Sequence, residues 1–190
     1  MELKGSRTEK NLLMSFAGES QARNRYTYYA SVAKKEGYEQ IAGFFLETAD
    51  NEKEHAKIFF KYLQGGDLEI TSSYPAGTIQ DTLKNLRAAA AGEKHEWTTL
   101  YADFEKIARE EGFEEIAESF KQIALVEKFH EMRYKSLANQ IEKEEFYKKS
   151  VSVKWHCRNC GYVAESATAP QKCPACRHPQ SYYEILAENF

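Results

Sequence analysis

Cysteine and proline are scarce in this 190-residue chain, and most of both lie near its end. The four cysteines are at positions 157, 160, 173 and 176, and three of the four prolines follow residue 169. A chain with no cysteine in its first 150 residues has no disulfide framework there. Because proline interrupts helices, a stretch whose one proline is Pro75 is free to form long ones.

The sequence also lacks the features of a membrane-bound or nucleic-acid-binding protein. No apolar run approaches the ~18 residues that a bilayer-spanning helix needs, and the chain starts without an apolar leader. Lys and Arg total 26 against 29 Asp and Glu, a net charge of −3, which offers no basic field to nucleic acid or to an anionic membrane. With a mean hydropathy of −0.67, we expect a soluble cytoplasmic protein with neither kind of partner.

The pattern of residues 1–148 predicts an all-α four-helix bundle. Gly37 and Gly112 each fall where a helix would end, and the polar segment 65–77 divides the region into two halves. The helices that we predict from apolar periodicity cover 8–36, 38–64, 79–111 and 113–145. Each half is then a helical hairpin, and the dividing segment is long enough for a crossover along the bundle.

An internal repeat relates the two halves. Shifted by 75 positions, residues 36–55 match residues 111–130 at ten of twenty positions. The matched residues of the first half are Glu36, Gly37, Glu39, Ile41, Ala42, Phe45, Ala49, Glu52, Lys53 and His55. A duplicated hairpin predicts a pseudo-two-fold site at the bundle axis, with matching groups from both halves.

Each half carries a Glu-x-x-His motif on its second helix and a further glutamate on its first. These residues are Glu52, His55 and Glu19 in the first half and Glu127, His130 and Glu93 in the second. Residues three apart share a helix face, and oxygen with imidazole suits iron or manganese, as in ferritin-like di-iron and di-manganese proteins. A lone motif is usually a solvated face. Two equivalent motifs beside alanines favour a metal pair, whose charge offsets the cost of burying the carboxylates.

The third helix has one residue more than the repeat requires. Tyr26 follows Glu19 by seven residues, whereas Tyr101 follows Glu93 by eight. A π-type irregularity between Glu93 and Tyr101 would absorb the extra residue and keep both tyrosines in phase with the glutamates. It would also turn Glu96, otherwise a surface residue, toward the metals.

Tyr26 and Tyr101 have two interpretations. They are either core aromatics or hydrogen-bond donors to the carboxylate ligands. Their equivalent positions in the repeat favour the second interpretation.

Residues 149–190 differ in composition, with β-branched and aromatic residues, cysteine and proline replacing Glu, Lys and Ala. The pairs Cys157-x-x-Cys160 and Cys173-x-x-Cys176 predict a four-thiolate metal site in a cytosolic protein. Spacing alone admits either zinc or iron. So small a unit depends on its metal to fold.

The duplicated Glu-x-x-His bundle with its cysteine tail resembles rubrerythrin over essentially the whole chain. The stretches that carry the resemblance are 16–26, 52–56, 90–96, 126–131 and the cysteine pairs. The resemblance implies a ferritin-like di-iron bundle over 1–148 and a small rubredoxin-like Fe(Cys)₄ domain of strands and loops over 149–190.

The resemblance also implies a role for each ligand. Glu52 and Glu127 would bridge two non-haem irons. Glu19 and Glu96 would bind one of these irons, and Glu93 and His130 would bind the other. When the site is reduced, His55 would replace Glu96 on the first iron. The four cysteines would bind a third iron, for which zinc can substitute.

A protein of this kind would be a peroxidase that reduces hydrogen peroxide to water and protects against oxidative stress. Its electrons would come from NAD(P)H through rubredoxin or reductase-type donors. The resemblance implies a homodimer, arranged head to tail, or a higher homo-oligomer. Two other functions fit the same residues: a ferroxidase or iron-storage protein that uses oxygen, and a non-enzymatic metal-binding module with a structural zinc tail.

Overall fold

The computed structural model describes residues 2–189, which form two helical hairpins followed by a small sheet. The helices are α1 (Arg7–Lys35), α2 (Glu39–Tyr62), α3 (Thr82–His95), a π-helical turn (Glu96–Leu100), α4 (Tyr101–Glu110) and α5 (Glu114–Glu142). Helix α1 packs mainly on α2, and α3 and α4 pack on α5. The predicted four-helix bundle with a long crossover is confirmed.

Both hairpin turns depend on a glycine in the left-handed region. Gly37 has φ 86° and Gly112 has φ 84°, a conformation that side chains with a Cβ rarely adopt. In each turn the next amide closes the helix end, Tyr38 N donating to Ala33 O and Phe113 N to Ala108 O, both at 2.8 Å. The two turns are therefore structural copies, as the repeat predicts.

Two predicted helix ends were wrong by about one turn, and each has a local cause. The third helix begins at Thr82 rather than at 79 because the Asp81 carboxylate accepts a hydrogen bond from Lys84 N at 2.9 Å and caps the helix there. The last helix ends at Glu142 rather than at 145. Glu144 has φ 57°, which takes the backbone out of the right-handed helix.

The predicted π-type irregularity between Glu93 and Tyr101 is confirmed. Residues Glu96–Leu100 form a π-helical turn, and Tyr101 N donates to Glu96 O, five residues earlier. The turn inserts one residue between α3 and α4 without ending the helical rod. The second hairpin thereby keeps the phase of the first.

The C-terminal unit is a three-stranded antiparallel sheet. Its strands are β1 (Lys148–Cys157), β2 (Val163–Thr168) and β3 (Tyr183–Ile185), in the order β2-β1-β3. Trp155 and Tyr183 are fully buried and pack with two of the cysteines to form its core. The predicted domain boundary, between residues 148 and 149, falls at the start of β1.

Two apolar clusters fill the bundle, one toward each end. The first contains Tyr26, Phe45 and Tyr134, and the second contains Phe59 and Phe120. Within residues 2–189, none of the helices combines the length and apolar character needed to cross a bilayer.

Glu111, at the end of α4, fastens the start of α1. Its carboxylate accepts hydrogen bonds from Thr8 N at 2.9 Å, Thr8 Oγ1 at 2.6 Å and Arg7 Nε at 3.0 Å. Partial burial would raise the pKa of Glu111, but the bonds from Thr8 and Arg7 outweigh it and lower the pKa to about 2. The carboxylate thus satisfies amides that the helix leaves unpaired.

Replacing this carboxylate by an amide is expected to destabilise the bundle. Glu111→Gln should lower the free energy of unfolding at pH 7 by about 1–2 kcal/mol. Because the folded pKa is depressed, the difference should shrink as the pH falls from about 4.5 toward 2. Urea denaturation at pH 7 and at pH 3 measures the difference in the free energy of unfolding between the variant and the unaltered protein. Glu110→Gln, which removes only an exposed ion pair to Arg7, is the matched control; an equal loss in both variants would contradict the assignment.

Candidate metal centres

The bundle brings six of the predicted ligands together at its axis. They come from four helices: Glu19 on α1, Glu52 and His55 on α2, Glu93 on α3, and Glu127 and His130 on α5. All six are buried, and the four carboxylates are at most 1% exposed. The i, i+3 spacing places each Glu-x-x-His pair on the inner face of its helix.

These residues form two groups of four that share two members. Glu19 and His55 complete one group, Glu93 and His130 complete the other, and Glu52 and Glu127 belong to both. Within each group, one potential ligand atom from every residue lies within 4.8 Å of the others. Two shared carboxylates between two groups are the arrangement expected of a binuclear centre with bridging ligands.

Both histidine Nδ1 atoms and at least one oxygen of each carboxylate have no hydrogen-bond partner in the protein. His55 Nδ1 lies 2.8 Å from Glu52 Oε2 and 2.9 Å from Glu127 Oε1, and His130 Nδ1 lies 2.8 Å from Glu127 Oε2. None of these contacts has hydrogen-bond geometry, and both oxygens of each shared carboxylate are buried and unpaired. Burying such groups costs several kcal/mol apiece unless a cation neutralises them. The residues therefore fit a pair of metal ions.

In the absence of metal the cluster must bind protons instead. Burial raises the pKa of Glu93 to about 8 and that of Glu19 well above its ordinary value. Burial also disfavours charged imidazoles, but the shared carboxylates outweigh it and raise the pKa of His55 to about 10 and of His130 to about 12. Metal binding at neutral pH must therefore displace protons from the cluster.

Two tyrosines hold the outer carboxylates. Tyr26 Oη donates to Glu93 and Tyr101 Oη donates to Glu19, and both contacts are fully buried. The sequence placed each tyrosine in phase with the glutamate of its own half, whereas in the structure each reaches the glutamate of the other half. The two hydroxyls thus link the repeats across the axis.

Glu96 lies outside both groups of four. It begins the π-helical turn and is partly exposed, while His55 is a member of the first group. The first group thus contains His55 and not Glu96. The resemblance to rubrerythrin assigns this ligand set to the reduced centre. The role of Glu96 as a ligand stays a prediction.

Trp97 has a role that its position in the sequence does not reveal. Its indole Nε1 donates to Glu131 Oε2 at 2.6 Å, and Lys128 Nζ lies 5.3 Å from the centre of its ring. Glu131 directly follows His130 on α5, so this bond ties the π-helical turn to the helix that carries a predicted ligand. A tryptophan next to a predicted ligand was the one available signal, and it does not identify the partner.

The four cysteines converge in the C-terminal unit. Cys157 Sγ lies 3.8 Å from Cys176 Sγ, and Cys160 Sγ lies 3.7 Å from Cys173 Sγ. These separations exclude disulfides, whose sulfurs lie about 2.05 Å apart, and they suit the edges of a tetrahedron around one metal ion.

The two Cys-x-x-Cys turns have the same shape. Gly161 and Arg177 each follow the first cysteine of a pair by four residues, and both have positive φ, 80° and 66°. Each donates its N–H to the carbonyl of that first cysteine, at 2.9 Å. The equivalent turns present the two pairs of thiols to a common point.

The fold and the two sites define a class: a ferritin-like four-helix bundle with a carboxylate–histidine di-metal centre, joined to a four-cysteine domain. Comparison with known families agrees. The family model described as Rubrerythrin matches residues 10–138, and the model described as Rubrerythrin, rubredoxin-like domain matches residues 155–184.

Similar proteins match over the whole chain. Over 188 residues it is 61% identical to Rubrerythrin of Porphyromonas gingivalis, covering 99% of this chain and 94% of that protein. Over 188 residues it is 56% identical to Rubrerythrin of Nitratidesulfovibrio vulgaris, covering 99% and 98%. The solved fully reduced, all-ferrous state of nigerythrin is similar at a TM-score of 0.64 and 29% identity, over 97% of this chain and 91% of that one.

The chain belongs to the rubrerythrin family. It accordingly has a di-iron carboxylate–histidine site in the bundle and a rubredoxin-like four-cysteine site in the C-terminal unit.

Removing the metals should make the stability of the bundle depend on pH. The folded metal-free cluster retains protons that the unfolded chain releases between about pH 5 and pH 8, so its stability falls as the pH rises through this range. We expect the Tm of chelator-treated protein to decrease from pH 5 to pH 8 in scanning calorimetry. Iron-loaded protein is the control and should show little decrease. A flat profile for the metal-free protein would contradict protonation of the cluster.

Proposed function

We propose that the protein reduces hydrogen peroxide to water. The observation that carries the proposal is the buried pair of ligand groups sharing Glu52 and Glu127, joined in one chain to a four-cysteine site. The reaction consumes one peroxide, two electrons and two protons and yields two waters. A centre that holds two metal ions side by side is suited to a two-electron reduction that releases no hydroxyl radical.

The six buried side chains of the bundle would hold two ferrous ions, which supply the two electrons needed to break the O–O bond, and the four cysteines would hold an iron that relays replacement electrons one at a time. The chain's own residues prepare the site. Tyr26 and Tyr101 orient Glu93 and Glu19, and the apolar clusters on either side exclude bulk water.

Glu96 and His55 are proposed as alternative ligands of the first metal ion. His55 belongs to the first buried group, and Glu96 begins the π-helical turn that directly follows α3, the helix of Glu93. Such turns are less regular than α-helix and are frequent at functional sites. The exchange between the two ligands is proposed to accompany the change in charge of the centre.

The electrons are proposed to come from NAD(P)H through rubredoxin or reductase-type donors. The four cysteines require a compartment where thiols stay reduced, which supports a cytoplasmic location. By removing peroxide there, the protein would protect the cell against oxidative stress.

Separate variants of the two metal sites test whether the bundle reduces peroxide and the four-cysteine site delivers the electrons. Cys160→Ser should lower NADH-linked peroxide turnover by roughly 100-fold, yet chemically reduced protein should still be oxidised by one equivalent of peroxide in a stopped-flow absorbance measurement. Glu127→Gln should lose both reactions.

Two measurements on the unaltered protein test the alternative functions. Faster turnover with oxygen than with peroxide would favour the ferroxidase, and zinc in place of iron would favour the non-enzymatic module.

A head-to-tail homodimer is part of the proposal. Only residues 143–147 separate α5 from β1, so the reach of the C-terminal unit is short. Leu125, Phe129 and Met132 follow one another at helical spacing on α5 and are 57–58% exposed. Exposed apolar stripes of this kind mark contact surfaces.

Mixed dimers distinguish transfer between chains from transfer within one chain. If Glu127→Gln and Cys160→Ser subunits are refolded together in equal amounts, half of the dimers are mixed and each has one complete route between chains. Activity should then recover to about a quarter of the unaltered level. Each variant refolded alone is the control, and no recovery in verified mixed dimers would exclude transfer between chains.

A further inference from the structure

A small cavity lies between the first helices of the two repeats, under the crossover. Its volume is about 70 Å³, which is room for only a few molecules the size of water. Residues Ser72–Pro75 of the crossover cover it, and Glu96 lines it. The cavity therefore connects the exposed crossover with the π-helical turn that carries a predicted ligand.

Tyr74 is the largest of the crossover residues that cover this cavity. Its hydroxyl donates to Met14 O on α1 at 2.8 Å, and its ring lies over Gly18, with Cε1 3.6 Å from the position of a Cβ there. The side chain is 37% exposed. Tyr74 thus has one face in solvent and the other over the cavity, held by a single hydrogen bond.

Two helical glycines, Gly18 and Gly92, line the cavity from opposite sides. They directly precede Glu19 and Glu93, and neither has a positive φ. A Cβ would meet its nearest neighbour at 3.6 Å at Gly18 and at 3.9 Å at Gly92, so alanine fits at both. Glycine inside a helix costs about 1 kcal/mol relative to alanine, and what it provides here is open space next to two predicted ligands.

The lining is also polar enough for a small hydrogen-bonding molecule. Arg25 and Gln21 contribute to it, and Arg25 Nε donates to Gln21 Oε1 at 2.6 Å. Glu96 also lines this space. Cavities that stay empty of water are lined by apolar groups, whereas this cavity is lined in part by residues that carry a guanidinium, an amide and a carboxylate.

We propose that this cavity is the path by which peroxide reaches the di-iron centre, and that Tyr74 limits the size of the peroxide admitted. The proposal rests on the proposed peroxidase function and adds a route and a selectivity to it. Hydrogen peroxide fits the cavity, whereas tert-butyl hydroperoxide, with its four carbons, requires the cover to move.

Variants that widen and narrow the cavity should act in opposite directions. Tyr74→Ala should raise the turnover rate with tert-butyl hydroperoxide, relative to that with hydrogen peroxide, by about tenfold or more. Gly18→Ala should lower the turnover rate with hydrogen peroxide by about tenfold, which is the order of effect of one methyl group in a fitted pocket. Gly92→Ala is a second narrowing variant. Iron content, measured for each variant, confirms that the centre is loaded.

Access is also measured without turnover. Azide is mixed with the oxidised, iron-loaded protein, and the rate at which azide binds is followed by absorbance. This association rate should be higher in Tyr74→Ala and lower in Gly18→Ala and Gly92→Ala than in the unaltered protein. Tyr28→Ala, which removes an exposed tyrosine of α1, and Gly43→Ala, whose Cβ meets only the tip of Arg158, are the matched controls and should change neither rate.

The outcomes separate the two proposals. Unchanged azide rates and unchanged peroxide selectivity in all three cavity variants would overturn the access path. If the unaltered protein does not turn over peroxide, the proposed function fails, while the azide rates still decide whether this cavity leads to the centre.

Discussion

Negative charge buried at the centre of the bundle is the constraint on which the structure depends. Four helices each direct a carboxylate to a place where an ordinary bundle would put leucine or alanine, and two shared carboxylates meet there with every oxygen unpaired. The helices can pack around such a centre only if cations or protons compensate the charge. Metal binding, proton binding and folding are therefore coupled equilibria in this protein.

The π-helical turn is where the two halves stop being equivalent. One extra residue in the third helix leaves the tyrosines in register and gives this half alone Glu96 and Trp97 at the edge of the site. Trp97 then fixes the turn to α5 through Glu131. A symmetric scaffold thus acquires one irregular segment, and that segment borders both the metal centre and the cavity beneath the crossover.

Much of this arrangement could be predicted from the sequence because it follows from periodic patterns. The repeat, the hairpins, the Glu-x-x-His pairs and even the π-helical turn depend on spacing along the chain. The crossed bonds of Tyr26 and Tyr101, the contact of Trp97 with Glu131 and the cover formed by Tyr74 could not be predicted. They join segments distant in sequence, and the crossover that carries Tyr74 has no periodicity from which to place it.

The crossed tyrosines bear on how such a chain can arise. Each hairpin supplies the hydroxyl that holds the other hairpin's glutamate, so one hairpin by itself leaves its own glutamate without a donor. A half-length ancestor would have met this requirement by pairing with a second identical hairpin about a two-fold axis. Gene fusion would then preserve the pairing and free each copy to diverge, which is the condition for an asymmetric centre.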